Sequence, residues 1–321
     1  MRKIAIIGAT GIVGRTLIKI LKEKKLTKFD FYLFASKDHE KKVKIGRKWY
    51  NVKKLNIDFL KNNKFDFAFV SAKENVASLV VPVLLEGGAY VIDQSSLHRK
   101  KYPLIIPEIN SFDINGRLIT SPNCSTSAGV MALYRIRERF GLKRVIYTTF
   151  QALSGAGKGA IEEMNIAKEK NLKKLPFVIK NNLIPCIGSL DENGNSTEEN
   201  KMVFETKKIL HCPKLQVSAT CVRVPITIGH SLSINFETKR KATLGEIKEL
   251  LKQARGVKFI DDYLPMPKDV RGKDEVIVGR VRKDEQGENT FSMFVTSDNL
   301  RKGASLNAVQ IFEEILERES L

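Results

Sequence analysis

The amino-acid sequence predicts an α/β protein in which a doubly wound parallel sheet is joined to a second, α+β domain. Three observations lead there. The chain opens with "KIAIIGATGIVGRTLIKILKEK": an apolar run, a glycine turn, then a run of helical periodicity. Strand-like and helix-like runs then alternate, as parallel strands joined by right-handed crossovers require. Beyond Phe140 the texture changes to longer, partly alternating strands separated by helices.

Taken in order, the first strand leads into a helix with apolar residues at Ile12, Val13, Leu17, Ile18 and Leu21. "FDFYLFAS" (29–36) and "FDFAFVSA" (65–72) read as the next strands. A helix through "ENVASLVVPVLLEGG" leads to a strand in "AYVIDQSS" (89–96), and "GRLITSPNC" (116–124) ends the first domain. The second half supplies strands in "KRVIYTTFQALSG", "KLQVSATCVRVPI", "GHSLSINFETKR" and "NTFSMFVTSD", a mixed or antiparallel set. Helices are expected at about 157–171, 197–209 and 244–254. The closing "NLRKGASLNAVQIFEEILERE" reads as a helix that returns to the first domain.

Bulk composition narrows the function classes. A chain of 321 residues can bury two cores. No run of eighteen apolar residues occurs, so no membrane span or membrane partner is expected. The N-terminal run reaches glycine too soon for a signal peptide. Cys124, Cys186, Cys212 and Cys221 lack metal-ligand spacing, which argues against zinc or a disulfide framework and fits a reducing cytoplasm. The formal charge of +19 raises the question of a polyanion partner, and a nucleic-acid binder is one reading of it. The lysines, however, are scattered and often adjoin acids, as in "EEMNIAKEKNLKK", and no nucleic-acid-binding motif is present, so no nucleic-acid partner is expected.

Gly8, Gly11 and Gly14 in "GATGIVG" follow a strand and precede a helix. Glycine allows the tight turn and lets backbone amides approach a pyrophosphate at the helix N-terminus. The turn residues Gly8, Thr10, Gly11, Ile12, Val13 and Gly14 are therefore candidate cofactor contacts in a Rossmann-like domain. The second strand ends in Ser36 and Lys37 before any acid, at Asp38, appears. A hydroxyl and an ammonium suit the 2′-phosphate of NADP; an ordinary solvated loop is the competing explanation. This dinucleotide-binding domain is expected to span 1–123, with the helix of about 300–321 returning to it, and the second domain 124–299.

Cys124 lies where a strand ends and a helix begins, in "ITSPNCSTSAGV". Free amides there lower a thiol pKa and favour the nucleophilic thiolate, although an isolated small cysteine is as readily packing material. Gln151 ends a strand ahead of a second glycine-rich turn, "SGAGKG". Arg223 and His230 flank a proline and a glycine in "CVRVPITIGHS", two polar groups in an otherwise apolar segment.

These stretches, with "VIDQSSLHR", "LIIPEIN", "SPNCST", "EENKMVFETKKIL", "EVIVGRVRKD" and "SDNLRKGASLNAVQI", resemble the aspartate-semialdehyde dehydrogenase family over nearly the whole chain. The resemblance implies that Cys124 is an acylated nucleophile placed with the help of Asn123, and that Gln151 orients substrate. It implies a substrate pair in Glu198 and Lys201, a carboxylate grip at Arg223, an acid–base role for His230 and a phosphate contact at Arg99. Ser154, Gly155 and Asn299 match cofactor contacts. The E-x-x-K spacing also fits an ordinary intrahelical ion pair. Two departures stand out: "SAKEN" (71–75) replaces a smaller "SAGGS"-like turn, and the loop from Arg99 to "PEIN" is shorter.

The resemblance thus implies NADPH-dependent reductive dephosphorylation of L-4-aspartyl phosphate to L-aspartate 4-semialdehyde, with release of phosphate. It also implies a homodimer formed through the second, catalytic and dimerisation domain. A different phosphorylating aldehyde dehydrogenase, acting on N-acetylglutamyl phosphate or glyceraldehyde 3-phosphate, is the neighbouring alternative.

Overall fold

The computed structural model describes residues 1–37, 39–285 and 287–319. It divides into two compact units, Met1–Pro122 with Ala304–Leu321, and Asn123–Gly303. The first contains β1 (Lys3–Ile7), α1 (Ile12–Glu23), β2 (Asp30–Ala35), β3 (His39–Ile45), β4 (Lys48–Lys54), α2 (Ile57–Lys61), β5 (Phe67–Val70), α3 (Glu74–Glu86), β6 (Tyr90–Asp93), α4 (Pro107–Asn110) and β7 (Leu118–Thr120). The second contains α5 (Cys124–Phe140), β8 (Leu142–Gln151), α6 (Lys158–Glu162), α7 (Thr197–Ile209), β9 (Gln216–Arg223), β10 (His230–Thr238), α8 (Leu244–Lys252), β11 (Val257–Phe259), α9 (Pro267–Val270), β12 (Val276–Lys283) and β13 (Thr290–Ser297). The last helix, α10 (Leu306–Arg318), belongs to the first unit.

The first unit is built on one sheet in the order β3-β4-β2-β1-β5-β6-β7. All neighbours are parallel except β3 and β4, which form a hairpin at the edge. Strands β5 and β6 are almost continuously apolar because helices cover both faces of the sheet. On one face Ile4 and Ile6 pack with Leu17 of α1 and Phe312 and Ile315 of α10. On the other, Ala5 and Ile7 pack with Ala77, Val81 and Leu84 of α3. The strand order reverses between β1 and β5, which puts the glycine turn at the switch point where such sheets bind ligands.

The second unit carries a mixed sheet in the order β11-β12-β13-β10-β8-β9. Its central pairs, β13–β10 and β10–β8, are antiparallel, whereas β8 and β9 run parallel. Helix α5 packs on β8 and β10, with α7 and α8 beside it. It is buried nearly all round, so it acts as the axis of the unit.

Two expectations from the sequence are modified, and one hairpin is added to them. The helix expected over 157–171 is α-helical only at Lys158–Glu162, with a 3₁₀ turn at Glu169–Asn171. The carboxylate of Glu163 accepts the backbone N–H groups of Lys173, Lys174 and Leu175, so it bends the following chain back instead of continuing the helix. The final helix opens with a π-helical turn, Arg301–Ser305, before α10 proper. The hairpin β3–β4 was not anticipated, because its lysine-rich alternation hides Val43, Ile45, Tyr50 and Val52, which pack on the first core.

Candidate active site

Pro122-Asn123 ends the approach to α5, and the Asn123 side chain caps the helix. Its Oδ1 accepts N–H bonds from Ser125 at 2.8 Å and Thr126 at 3.3 Å. A cap of this kind contributes about 0.5–2 kcal/mol and fixes where the helix begins. Cys124 is therefore the first helical residue, half-buried, at the end of the helix dipole that favours negative charge. Gly303 backs it closely, since a Cβ there would lie 2.8 Å from Cys124 Cβ. A residue larger than glycine would have to displace the cysteine.

Cys124 Sγ stands 3.0 Å from His230 Nε2, across 106 residues of sequence. The other imidazole nitrogen, Nδ1, accepts the backbone N–H of Ala152 at 3.0 Å, so Nδ1 carries no proton. A neutral imidazole must then carry its proton on Nε2, and the sulfur is the acceptor. This polarity suits a thiolate. His230 is fully buried, and its pKa is held well below 6.5, chiefly by desolvation and secondarily by the positive charge of Arg223.

That depression predicts a pH dependence. The unfolded chain takes up a proton at His230 as pH falls through about 6.5, whereas the native imidazole stays neutral to lower pH. The unfolded state therefore binds more protons in that window, and stability declines on acidification; above it the group adds no slope. Between about pH 6.5 and 5, the unfolding free energy should fall more steeply for the wild type than for His230→Asn, by up to about 1.4 kcal/mol per pH unit at one site, and Tm should fall with it. Thermal unfolding across pH measures this, and parallel curves would remove the assignment.

The sheet brings the other groups alongside. Gln151 at the end of β8 pairs in register with Arg223 at the end of β9, and His230 opens the neighbouring β10. Gln151 is buried, with Nε2 donating to Thr149 Oγ1 at 3.3 Å. Arg223 is buried too, and its Nη1 donates to Ala152 O at 2.8 Å. Burial lowers its pKa, opposed by the charge of Glu198. The turn of Leu153–Ala156 passes over both groups: a Cβ at Gly155 would lie 3.1 Å from Arg223 Nη1 and 3.4 Å from His230 Nε2. Glycine thus leaves space directly above the guanidinium and the imidazole. Asn299 orders this turn, donating from Nδ2 to Ser154 Oγ at 2.8 Å while its Oδ1 accepts Gly229 N–H at 3.0 Å.

Helix α7 supplies the acids. Ser196 and Glu199 form a capping box that fixes its start, and Glu199 also accepts the Cys221 N–H at 2.8 Å. Glu198 accepts from Asn123 Nδ2 at 2.7 Å, and its second oxygen lies 3.8 Å from Lys201 Nζ. Cys221 is no second nucleophile: burial pushes its thiol up to about 12. The sequence reading singled out Cys124, Asn123, Gln151, Ser154, Gly155, Glu198, Lys201, Arg223, His230 and Asn299, but not the groups that support them: the Ala152 amide, Ser196, Glu199, Gly303 and Glu205, whose Oε2 accepts the Asn123 N–H at 2.7 Å. The buried face of α7, Glu198-Met202-Glu205-Ile209, was the available signal for Glu205, because a carboxylate recurs there at helical spacing.

In the first unit Gly8 adopts φ +86°, and a Cβ there would strike Ser71 O at 2.3 Å, so only glycine fits the turn. Gly11 is the N-cap of α1 without a side-chain cap bond, and no acid occupies the first turn. The amides of Ile12, Val13 and Gly14 thus head a helix open to an anion, a fit for a dinucleotide pyrophosphate. Thr10 O accepts Arg15 Nε at 2.8 Å and Val13 O accepts Ser305 Oγ at 2.9 Å, which brace the turn. Ser36 and Lys37 are exposed just beyond β2; Asp38 lies outside the described residues. Arg99 is buried, with Nη2 donating to Gln94 O at 2.9 Å. Lys73 forms the N-cap of α3, and both it and Glu74 are exposed.

Two family models match the chain: the semialdehyde dehydrogenase NAD binding domain over residues 3–117, and the semialdehyde dehydrogenase dimerisation domain over residues 133–302. The aspartate-semialdehyde dehydrogenase of Aquifex aeolicus is 43% identical, with 99% of each chain covered. The chain belongs to the aspartate-semialdehyde dehydrogenase family. The Bacillus subtilis aspartate-semialdehyde dehydrogenase is 40% identical over 97% of this chain and 96% of its own. The structure of aspartate semialdehyde dehydrogenase II from Vibrio cholerae complexed with ASA matches with a TM-score of 0.93 at 34% identity, covering 99% of this chain and 98% of that one. As a member of the aspartate-semialdehyde dehydrogenase family, the protein is an oxidoreductase of amino-acid biosynthesis with an N-terminal NAD(P)-binding domain. Among the described residues no cluster of metal-ligating side chains occurs, and no helix is long and apolar enough to cross a membrane.

Proposed function

We propose that the protein reduces L-4-aspartyl phosphate to L-aspartate 4-semialdehyde with NADPH, through a thioester on Cys124. The observation that carries this reading is the 3.0 Å approach of His230 Nε2–H to a sulfur at a helix N-terminus. The Cys124 thiolate attacks the acyl carbon, and the carbon–oxygen bond to phosphate breaks, leaving a thioester. Lys201 neutralises the departing phosphate, which carries off the proton that the overall reduction consumes. NADPH, when bound, would supply a hydride to the thioester carbon. His230 Nε2–H donates to the oxygen on which charge develops and moves a proton there as the direction of turnover requires. Collapse then releases the aldehyde and returns the thiolate. Throughout, Arg223 holds the substrate carboxylate, Glu198 the ammonium, and Gln151 the orientation between them.

The turn from Gly8 to Gly14 would hold the pyrophosphate of the cofactor, and Ser154, Gly155 and Asn299 are its candidate contacts in the second unit. Ser36 and Lys37 would take the 2′-phosphate. Lys37→Glu should therefore lower the ratio of kcat/KM for NADPH over NADH by about tenfold, a modest factor because an exposed charge is screened. An unchanged ratio would remove Lys37 from cofactor choice. A homodimer through the second unit fits the sheet face away from α5, where Phe150 and Phe294 stack at 6.3 Å yet stay half-buried. The four free cysteines suit a reducing cytoplasm.

The decisive experiment is oxidation of aspartate semialdehyde by NADP⁺ with the purified protein, with and without phosphate. Turnover should require phosphate and exceed that with N-acetylglutamate semialdehyde or glyceraldehyde 3-phosphate by orders of magnitude. Phosphate-independent turnover, or preference for either competitor, would overturn the reading.

A further inference from the structure

Glu205 is fully buried, yet no step of the proposed reaction uses it. Its Oε2 accepts the backbone N–H of Asn123 at 2.7 Å. Glu198, two turns earlier on the same face of α7, accepts from the side chain of the same residue, also at 2.7 Å. A carboxylate withdrawn from water is costly, and this one is spent on the main chain of the residue that precedes the cysteine. A shared target for two acids from one helix points to a mechanical purpose.

Asn123 has no conformational freedom left. Its amide hydrogen is held by Glu205, its Nδ2 by Glu198, its Oδ1 by Ser125 and Thr126, and its carbonyl oxygen by the N–H of Ser127 at 2.9 Å. The next atoms along the chain belong to Cys124, whose other side is closed by Gly303. Helix α7 is itself anchored, by its capping box and by Glu199 on the Cys221 amide. The direction in which the cysteine leaves the backbone is therefore referred to α7 through Asn123, and the bond to Glu205 is the one that grips the main chain. Glu198 could not do this alone, because a side-chain tether allows the backbone to pivot about it.

We infer that Glu205 is a positioning residue for the reaction: its carboxylate fixes the Asn123 amide and thereby holds Cys124 Sγ against His230 Nε2. The inference rests on the reading of Cys124 as the nucleophile.

Full-length Glu205→Gln and Glu205→Ala test it. Glutamine keeps an acceptor oxygen at the same reach; alanine removes it. Glu205→Ala should lower kcat by about 30–100-fold, the scale set by a misplacement near one ångström, with KM for NADP⁺ changed by less than about twofold. The rate at which iodoacetamide alkylates Cys124, followed by peptide mass spectrometry from about pH 5.5 to 9, should show a midpoint raised by about one pH unit, because the sulfur no longer receives the imidazole N–H. Glu205→Gln should stay within about threefold of wild-type kcat and keep the wild-type alkylation midpoint. Wild-type behaviour of Glu205→Ala, or a Glu205→Gln as impaired as Glu205→Ala, would overturn the inference. If the alanine variant does not fold, Glu205→Asp, shorter by one methylene, replaces it with the same expectations. Activity retained by Cys124→Ala would instead refute the nucleophile reading, and the alkylation profile would still report whether Glu205 places the sulfur.

Discussion

Cys124→Ala should lose turnover by about four orders of magnitude or more while binding NADPH as the wild type does. The expectation follows from the division of labour between the two units. The glycine turn that fits the dinucleotide is contained in the first, and the sulfur and imidazole in the second. Removing the sulfur leaves a pocket with its charges in place but no atom able to form the thioester, and direct hydride transfer to an acyl phosphate lacks the covalent stage that divides the barrier. The loss should fall on kcat. Steady-state kinetics combined with NADPH titration separates this from misfolding, since unfolded protein would lose both. A variant that kept more than a few per cent of activity would rule out the covalent route.

Arg223→Leu should lower kcat/KM for aspartate semialdehyde by about 10²–10³-fold, the equivalent of two charge-assisted hydrogen bonds at about 1.5–3 kcal/mol each with partial compensation. One guanidinium nitrogen is already committed to Ala152 O, which orients the remaining donors. The same bond creates a competing explanation, since its loss could disturb Ala152, whose amide sets the tautomer of His230. Substrate choice resolves the two. An aldehyde with the amine but without the carboxylate, 3-aminopropanal, should be oxidised by wild type and variant at rates within about threefold. Equal losses on both aldehydes would mean that Arg223 acts through Ala152 and not on the carboxylate.

Much of this arrangement was legible in the sequence, for reasons that differ by element. The glycine turn was readable because its constraint is local: Gly8 needs positive φ and close approach to Ser71, and both follow from strand, turn and helix in immediate succession. The position of Cys124 at a helix start was readable for the same reason, through Pro122-Asn123 and the following small residues. The Cys124–His230 contact was not legible from spacing, since it depends on how β10 pairs with β8 and how α5 lies on them. The resemblance to a family named both residues, but the direction of their hydrogen bond became visible only with the Ala152 amide in place. Glu198 with Lys201 read equally well as a surface ion pair until the burial of Glu198 against Asn123 was seen. The β3–β4 hairpin escaped because an edge strand needs only alternate apolar residues, and lysines filled the rest.

The close backing of Cys124 by Gly303 has a consequence for biogenesis. Asn123 and Gly303 are the first and last residues of the second unit, so that segment enters and leaves beside the same sulfur. A ribosome emits the cysteine first, the imidazole 106 residues later and the glycine later still. Polypeptides that stop short of Gly303 therefore carry a thiol without its backing, and the placed sulfur exists only once synthesis has passed that glycine.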